Sequence, residues 1–296
     1  MFSYPKLVGQ TVTRVIQAGL EGSAVVFVHG TGARADRWIR NLEPVAEAGF
    51  RAYAIDLPGH GLAAKDPAFN HSVPAYAEFL GQFLNNFGGE KVTLIGTSLG
   101  GHVAATCTIN RPERIERLML VGSMGLVPVG VETRLRIQGG ATNQTREAVI
   151  QKLHRVIADP SLITEDLIEE EFAVNNSTGA AGSFQKLGRY IACDLDSDVV
   201  GDRLNSLPSD IPIQLVWGTE DKTVPPAVGV AAHHRIKRSK LALIEGAAHT
   251  CYFEKPDEFN QLLTAFVRDS RGSTVASEPD PDPNLNVSIS RKPVRN

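Results

Sequence analysis

Continuous apolar runs recur along the chain, with helix-like segments between them. Their length and their β-branched composition are typical of buried strands. Six such runs occupy positions 24–28, 51–55, 91–95, 117–121, 213–217 and 240–244. Strands that are covered on both faces lose the alternation of polar and apolar positions, so this rhythm predicts an α/β fold with a mostly parallel sheet between two helical layers.

One interval lacks strand-like runs. Between Gly122 and Ile211 the chain has helical patterns, such as Thr145 to Ala158 and Thr164 to Asn176. This predicts a helical cap over the carboxyl edge of the sheet, where open α/β sheets bind ligands. We predict an α/β core at 1–124 and 209–270, the cap at 125–208, and a disordered tail at 271–296, where Ser, Pro, Asp, Asn and Arg predominate.

Composition narrows the range of partners. The 296 residues carry a net charge of -3 with 21% charged residues, so neither a basic nucleic-acid surface nor a polybasic membrane surface is expected. A small-molecule substrate is the expected partner.

The cysteines Cys107, Cys193 and Cys251 lack the spacing of a disulfide framework or a metal site. The N-terminal segment does not resemble a signal peptide, which predicts a cytoplasmic protein. No cofactor and no metal are expected.

The segment LIGTSLGG, residues 94–101, combines the end of a predicted strand with the beginning of a helix. A tight turn at this point needs small neighbours, and Gly96 and Gly100 provide them. Such a turn exposes the hydroxyl of Ser98 at the end of the sheet and brings the backbone N–H of Leu99 near it. The pattern predicts that Ser98 is a nucleophile.

A serine nucleophile needs a base and a carboxylate that orients the base. The loops after the last two predicted strands contain Glu220, Asp221 and His249. His249 is the candidate base, and either acidic residue is a candidate for the carboxylate.

An oxyanion formed during acyl transfer also needs hydrogen-bond donors. The glycine-rich loop after the first predicted strand contains Gly30, Thr31 and Gly32. We predict that the N–H groups of Thr31 and Leu99 form the oxyanion hole and that Gly30 lines the substrate site.

Six segments together resemble the α/β-hydrolase superfamily: VFVHGTG, AIDLPGHG, IGTSLGGHVA, RPERIERLMLVGS, LVWGTEDKTVP and EGAAHTCYFEKPDEFNQLLTAFV. The resemblance extends from about Val25 to Val267. It implies the order Ser98, Asp221, His249 for the triad, and it therefore favours Asp221 over Glu220 as the acid. Homodimers are common in this superfamily, so the resemblance also allows a homodimer.

Within the superfamily the chain is similar to the meta-cleavage-product hydrolases, which cleave a carbon-carbon bond in products of aromatic ring fission. Three positions depart from that branch. Thr97 replaces an asparagine, Glu171 aligns with a cap arginine, and Phe253 replaces a tryptophan that follows the catalytic histidine. A carboxylate at position 171 is expected to repel an anionic dienoate, while Phe253 is expected to contact substrate.

These observations predict a serine hydrolase that acts on a small or medium, largely apolar ester or related carbonyl compound. The alternative is carbon-carbon bond hydrolysis of a ring-fission product, in which Arg189, or Arg134 and Arg136, would replace the missing cap arginine. A third alternative is a receptor that retains the pocket and binds a ligand without turnover.

Overall fold

The computed structural model describes residues 1–269. Its strands are β1 Phe2–Val8, β2 Thr11–Ala18, β3 Ala24–Val28, β4 Arg51–Ile55, β5 Val92–Thr97, β6 Ile115–Val121, β7 Ile213–Gly218 and β8 Ser239–Ile244. Its α-helices are α1 Ile39–Glu47, α2 Val73–Leu84, α3 Leu99–Asn110, α4 Val131–Thr142, α5 Arg146–Val156, α6 Glu165–Asn175, α7 Ala180–Cys193, α8 Pro226–Arg235, α9 Cys251–Glu254 and α10 Pro256–Arg268.

The strands form one sheet with the order β1-β2-β4-β3-β5-β6-β7-β8. From β4 to β8 all neighbouring pairs are parallel. The six strands expected from the apolar runs are β3 to β8, and the predicted α/β architecture with a mostly parallel sheet is confirmed.

The sequence analysis did not predict the N-terminal hairpin. Strands β1 and β2 pair antiparallel, and β2 joins the sheet antiparallel to β4. Strand β1 is at the edge and is mostly exposed, so it lacks the continuous apolar run of a strand that is covered on both faces.

Two apolar clusters cover opposite faces of the sheet. Along β3, Val26 and Val28 belong to one cluster, whereas Val25 and Phe27 belong to the other. Because both faces of the strand are buried, every position in it is apolar. Because strands β3 to β8 are parallel, their carboxyl ends lie at one common edge of the sheet, where the loops that follow them can converge.

Helices α4 to α7 lie between β6 and β7, in the interval where the sequence predicts a cap. Thr145 and Thr164 cap α5 and α6 by accepting backbone N–H bonds, and Leu153 and Ile168 join these helices in a small apolar cluster.

The boundaries of core and cap remain a proposal, and the tail prediction for 271–296 concerns residues outside the described range. Within residues 1–269, no helix is both long and apolar enough to cross a membrane.

Candidate active site

Ser98 lies at the turn between β5 and α3 in a strained backbone conformation. Its φ is 55° and its ψ is -119°, and it is the only non-glycine residue with positive φ in residues 1–269. Such a conformation costs about 1–3 kcal/mol and persists only where the surroundings impose it. A Cβ on Gly96 would lie 2.7 Å from the nitrogen of Gly101, so strand and helix can meet here only without a side chain.

The histidine and one of the two candidate acids form a buried pair. The Nδ1 of His249 lies 2.7 Å from Oδ2 of Asp221. The other oxygen of Asp221 accepts N–H bonds from Thr223 and Val224 at 2.8 and 2.9 Å, which fixes the carboxylate. Glu220 is exposed. When Nδ1 donates to Asp221, Nε2 of the imidazole is free to accept a proton.

Close backbone packing brings the two loops together. The N–H of Glu220 donates to the carbonyl of Ala247, and a Cβ on Gly218 would lie 2.7 Å from the Ala247 carbonyl carbon. Gly122, after β6, also packs against the pair, since a Cβ there would lie 3.1 Å from Nδ1 of His249. The sequence analysis did not select Gly122, although it lies at the end of a predicted strand.

The predicted oxyanion loop adjoins the serine. A Cβ on Gly30 would lie 3.0 Å from Cβ of Ser98. His29 holds this loop: its Nε2 accepts the N–H of Leu57 at 3.0 Å, so its Nδ1 donates to the carbonyl of Gly30 at 2.8 Å. Burial lowers the pKa of His29, which favours this neutral form. The N–H of Leu99, at the first position of α3, has no acceptor within its own helix.

Two side chains of the cap region also hold the loop, and the sequence analysis did not identify either. Lys152 of α5 and Asn175 of α6 each donate to the carbonyl of Gly32 at 3.1 Å. Asn175 is fixed in turn by a 3.0 Å bond to Gln144. Their contact with residue 32, which is more than a hundred positions away, depends on how the helices pack onto the core.

A cavity connects these elements, and its mostly apolar lining includes cationic side chains. Ser98, His249, Gly30 and Thr31 line it. Four cationic side chains line it as well: Arg37, Arg136, Lys152 and Arg155. Burial and the charge of Arg136 lower the pKa of Arg155. Glu171 is the one carboxylate among the lining residues in the part of the chain that the structure describes.

Glu171 is buried between two cations. Its Oε2 contacts Arg37 and its Oε1 contacts Lys152, and 1% of its side chain is exposed. Burial alone would raise the pKa of this carboxyl group, but the two cations outweigh that effect and lower the pKa to about 2. The expected repulsion of an anionic substrate by Glu171 stays a prediction, and the structure weakens its basis because the charge of Glu171 is already compensated.

Two predicted substrate contacts do not line the cavity. Phe253 packs under Arg37 and Arg40, whose Cζ atoms lie 5.7 and 4.4 Å from its ring centroid. Arg189 is exposed on α7, whose buried residues lie on the other side of the helix. Their placement corrects both predictions. Of the two alternative cap arginines, Arg136 lines the cavity, whereas Arg134 pairs with Asp196 at 3.2 Å.

Residues 23–256 match the family model described as the alpha/beta hydrolase fold. The chain belongs to this family. The prediction that the protein is an enzyme of the α/β-hydrolase fold is thereby confirmed.

Two similar proteins indicate how broad the family is. The chain is 27% identical over 258 residues to a 2-hydroxy-6-oxononadienedioate/2-hydroxy-6-oxononatrienedioate hydrolase of Paraburkholderia phymatum, covering 84% of this chain and 88% of that protein. It is 28% identical over 254 residues to the dihydrolipoyllysine-residue acetyltransferase component of the acetoin cleaving system of Cupriavidus necator, covering 84% of this chain. The match spans 65% of the length of that acetyltransferase component.

A solved structure supports the same fold. A meta-cleavage product hydrolase from Pseudomonas fluorescens IP01 superimposes with a TM-score of 0.78 at 22% identity, covering 89% of this chain and 97% of that protein. The resemblance to the meta-cleavage-product hydrolases is confirmed. The predicted site roles, the absence of a cofactor, the cytoplasmic location and the homodimer remain predictions.

Proposed function

We propose that the chain is a serine hydrolase that cleaves an ester or a related carbonyl compound. The observation that carries this proposal is the 2.7 Å pair of His249 and Asp221 in a site that shares one cavity with the strained Ser98. A strained serine at a strand-to-helix turn, a buried histidine and a carboxylate that orients it are the components of nucleophilic acyl transfer.

The reaction follows from these roles. The Oγ of Ser98 attacks the substrate carbonyl carbon while its proton passes to Nε2 of His249. The N–H groups of Thr31 and Leu99 stabilise the oxyanion. Collapse of this intermediate breaks the bond to the leaving group, which takes the proton from His249. Water then attacks the acyl-enzyme by the same steps and releases the acid.

The cavity lining changes the expected substrate. Four cationic side chains do not suit a purely apolar ester, so the substrate is expected to carry an acidic group besides its reactive carbonyl. This observation also favours a second candidate, carbon-carbon bond hydrolysis of a ring-fission product. A similar protein is named as a hydrolase of a dioate, which has two carboxylates.

The proposal is tested with p-nitrophenyl esters and one ring-fission dienol, comparing wild type with Ser98→Ala. Ser183→Ala serves as a control, because Ser183 is a buried serine of α7 outside the cavity lining. We expect Ser98→Ala to lower kcat by about 10³-fold or more and Ser183→Ala to retain turnover. Full turnover by Ser98→Ala would refute the mechanism, while turnover of the dienol alone would favour carbon-carbon bond hydrolysis.

A further inference from the structure

We propose that Arg37 and Lys152 form a carboxylate-binding subsite in the cavity, beside the oxyanion loop, that receives an acidic group of the substrate. The inference rests on the proposed function and deepens it. It names carbonyl compounds that carry a carboxylate as the substrate class.

The first argument is charge balance. Arg37 and Lys152 share the single carboxylate of Glu171, and the exposed fractions of the three side chains are 6%, 13% and 1%. Among these three side chains two cations share one carboxylate; the neighbouring Arg34 pairs with Asp36 and Glu170, whose side chains are 27% and 58% exposed, so water screens those two carboxylates more than it screens Glu171. An unbalanced buried charge is unfavourable unless another group compensates it, so an anion from the cavity completes the cluster.

The second argument is an unused donor. Nη2 of Arg37 contacts Glu171, whereas its Nη1 is buried and has no hydrogen-bond partner within residues 1–269. Arg37 also lines the cavity. A guanidinium group binds a carboxylate through its fixed, planar set of N–H groups, and Nη1 is the donor of Arg37 that remains unpaired at this buried position.

The third argument is position. Nζ of Lys152 donates to the carbonyl of Gly32 at 3.1 Å, and Gly32 follows the proposed oxyanion donor Thr31. Ser98 lines the same cavity as both cations. An acidic group bound by Arg37 and Lys152 would therefore hold the rest of the substrate at the reacting atoms.

The other two cavity cations are weaker candidates. Arg136 is exposed and Arg155 is partly exposed, so water screens their charges more than it screens the charge of the buried Arg37. They form an alternative place for the carboxylate to bind, and the experiment must distinguish it from Arg37 and Lys152.

The binding experiment uses the full chain with Ser98→Ala, so that no turnover interferes, and measures benzoate and the uncharged benzamide by calorimetry. We expect benzoate to bind about tenfold or more tightly than benzamide, as is usual for a hydrogen bond to a charged group. Arg37→Gln should abolish the difference, while Glu171→Gln should strengthen benzoate binding because it removes the competing carboxylate. Arg203→Gln, at an exposed site outside the cavity lining, is the matched control and should change neither ligand.

The opposite changes in benzoate affinity expected for Arg37→Gln and Glu171→Gln distinguish a ligand-binding role from a structural role. A cluster that only stabilises the fold would weaken binding in both Arg37→Gln and Glu171→Gln. Equal affinities for benzoate and benzamide, or loss of benzoate binding in Arg155→Gln with retention in Arg37→Gln, would overturn the proposal. If Arg37→Gln does not fold, as judged by circular dichroism, the direction of change in Glu171→Gln decides.

A kinetic experiment distinguishes the acidic group of a substrate from a free anion. In wild type we expect mono-p-nitrophenyl adipate to have a KM about tenfold lower than that of p-nitrophenyl hexanoate, and Arg37→Gln should remove this advantage. Benzoate binding without any advantage for the acidic ester would overturn the assignment to substrate. Turnover that survives in Ser98→Ala would refute the proposed mechanism and leave the binding result unaffected.

Discussion

The contribution of the buried Glu171 carboxylate to the free energy of unfolding is predicted to depend on pH. Glu171→Gln leaves the buried Arg37 and the partly buried Lys152 without their shared carboxylate. A lowered pKa in the folded state stabilises the fold above the pKa of the unfolded state, and this contribution is lost as the pH falls through the folded value. The fall in the pKa of Glu171 from 4.5 to about 2 corresponds to about 3 kcal/mol at neutral pH.

We expect Glu171→Gln to lower the free energy of unfolding by about 3 kcal/mol at pH 7 but by only about 1 kcal/mol at pH 3, where the wild-type carboxyl group loses most of its advantage. Urea unfolding followed by circular dichroism at both pH values measures the difference. Glu169→Gln is the matched control in the same helix. Glu169 is 52% exposed and pairs with the exposed Arg146, so little change is expected. An equal loss at pH 3 and pH 7, or no loss at pH 7, would refute the electrostatic argument.

Two further predictions concern the triad and the turn that carries the nucleophile. Asp221→Asn should lower kcat by about 10⁴-fold with little effect on folding, because an amide does not stabilise the imidazolium of His249; steady-state kinetics would contradict this if kcat stayed within tenfold of wild type. Gly96→Ala should lower the free energy of unfolding by about 1–3 kcal/mol, because its Cβ overlaps the backbone of Gly100. Gly182→Ala in α7 has open space and should be neutral or slightly stabilising in the same urea experiment, and equal effects of the two substitutions would refute the packing argument.

Local sequence signals predicted the features that depend on neighbouring residues. The turn at Ser98 follows from glycines on either side of it, and the strands β3 to β8 follow from unbroken apolar runs. The hairpin β1–β2 was missed because an exposed edge strand has no such run. The boundaries of α5 and α6 fall within the predicted intervals because threonines cap both helices.

Contacts between distant segments could not be predicted in this way. Phe253 was selected as a substrate contact by resemblance, and Arg189 as a replacement for a missing arginine. Whether such a side chain faces the cavity depends on the rotation and packing of its helix. Lys152 and Asn175 were not selected, although both contact the carbonyl of Gly32. Nothing near either residue in the chain indicates this, because the partner belongs to the loop after β3.

The sign of a charge in a sequence does not give the sign of the electrostatic field at a site. Glu171, considered alone, predicts repulsion of an anionic substrate. In the folded chain its charge is compensated by Arg37 and Lys152, and within residues 1–269 the lining of the cavity has four cations and this one carboxylate. A carboxylate that is already paired is therefore expected to act less as a barrier to an anion than as the group that holds Arg37 and Lys152 at the cavity wall.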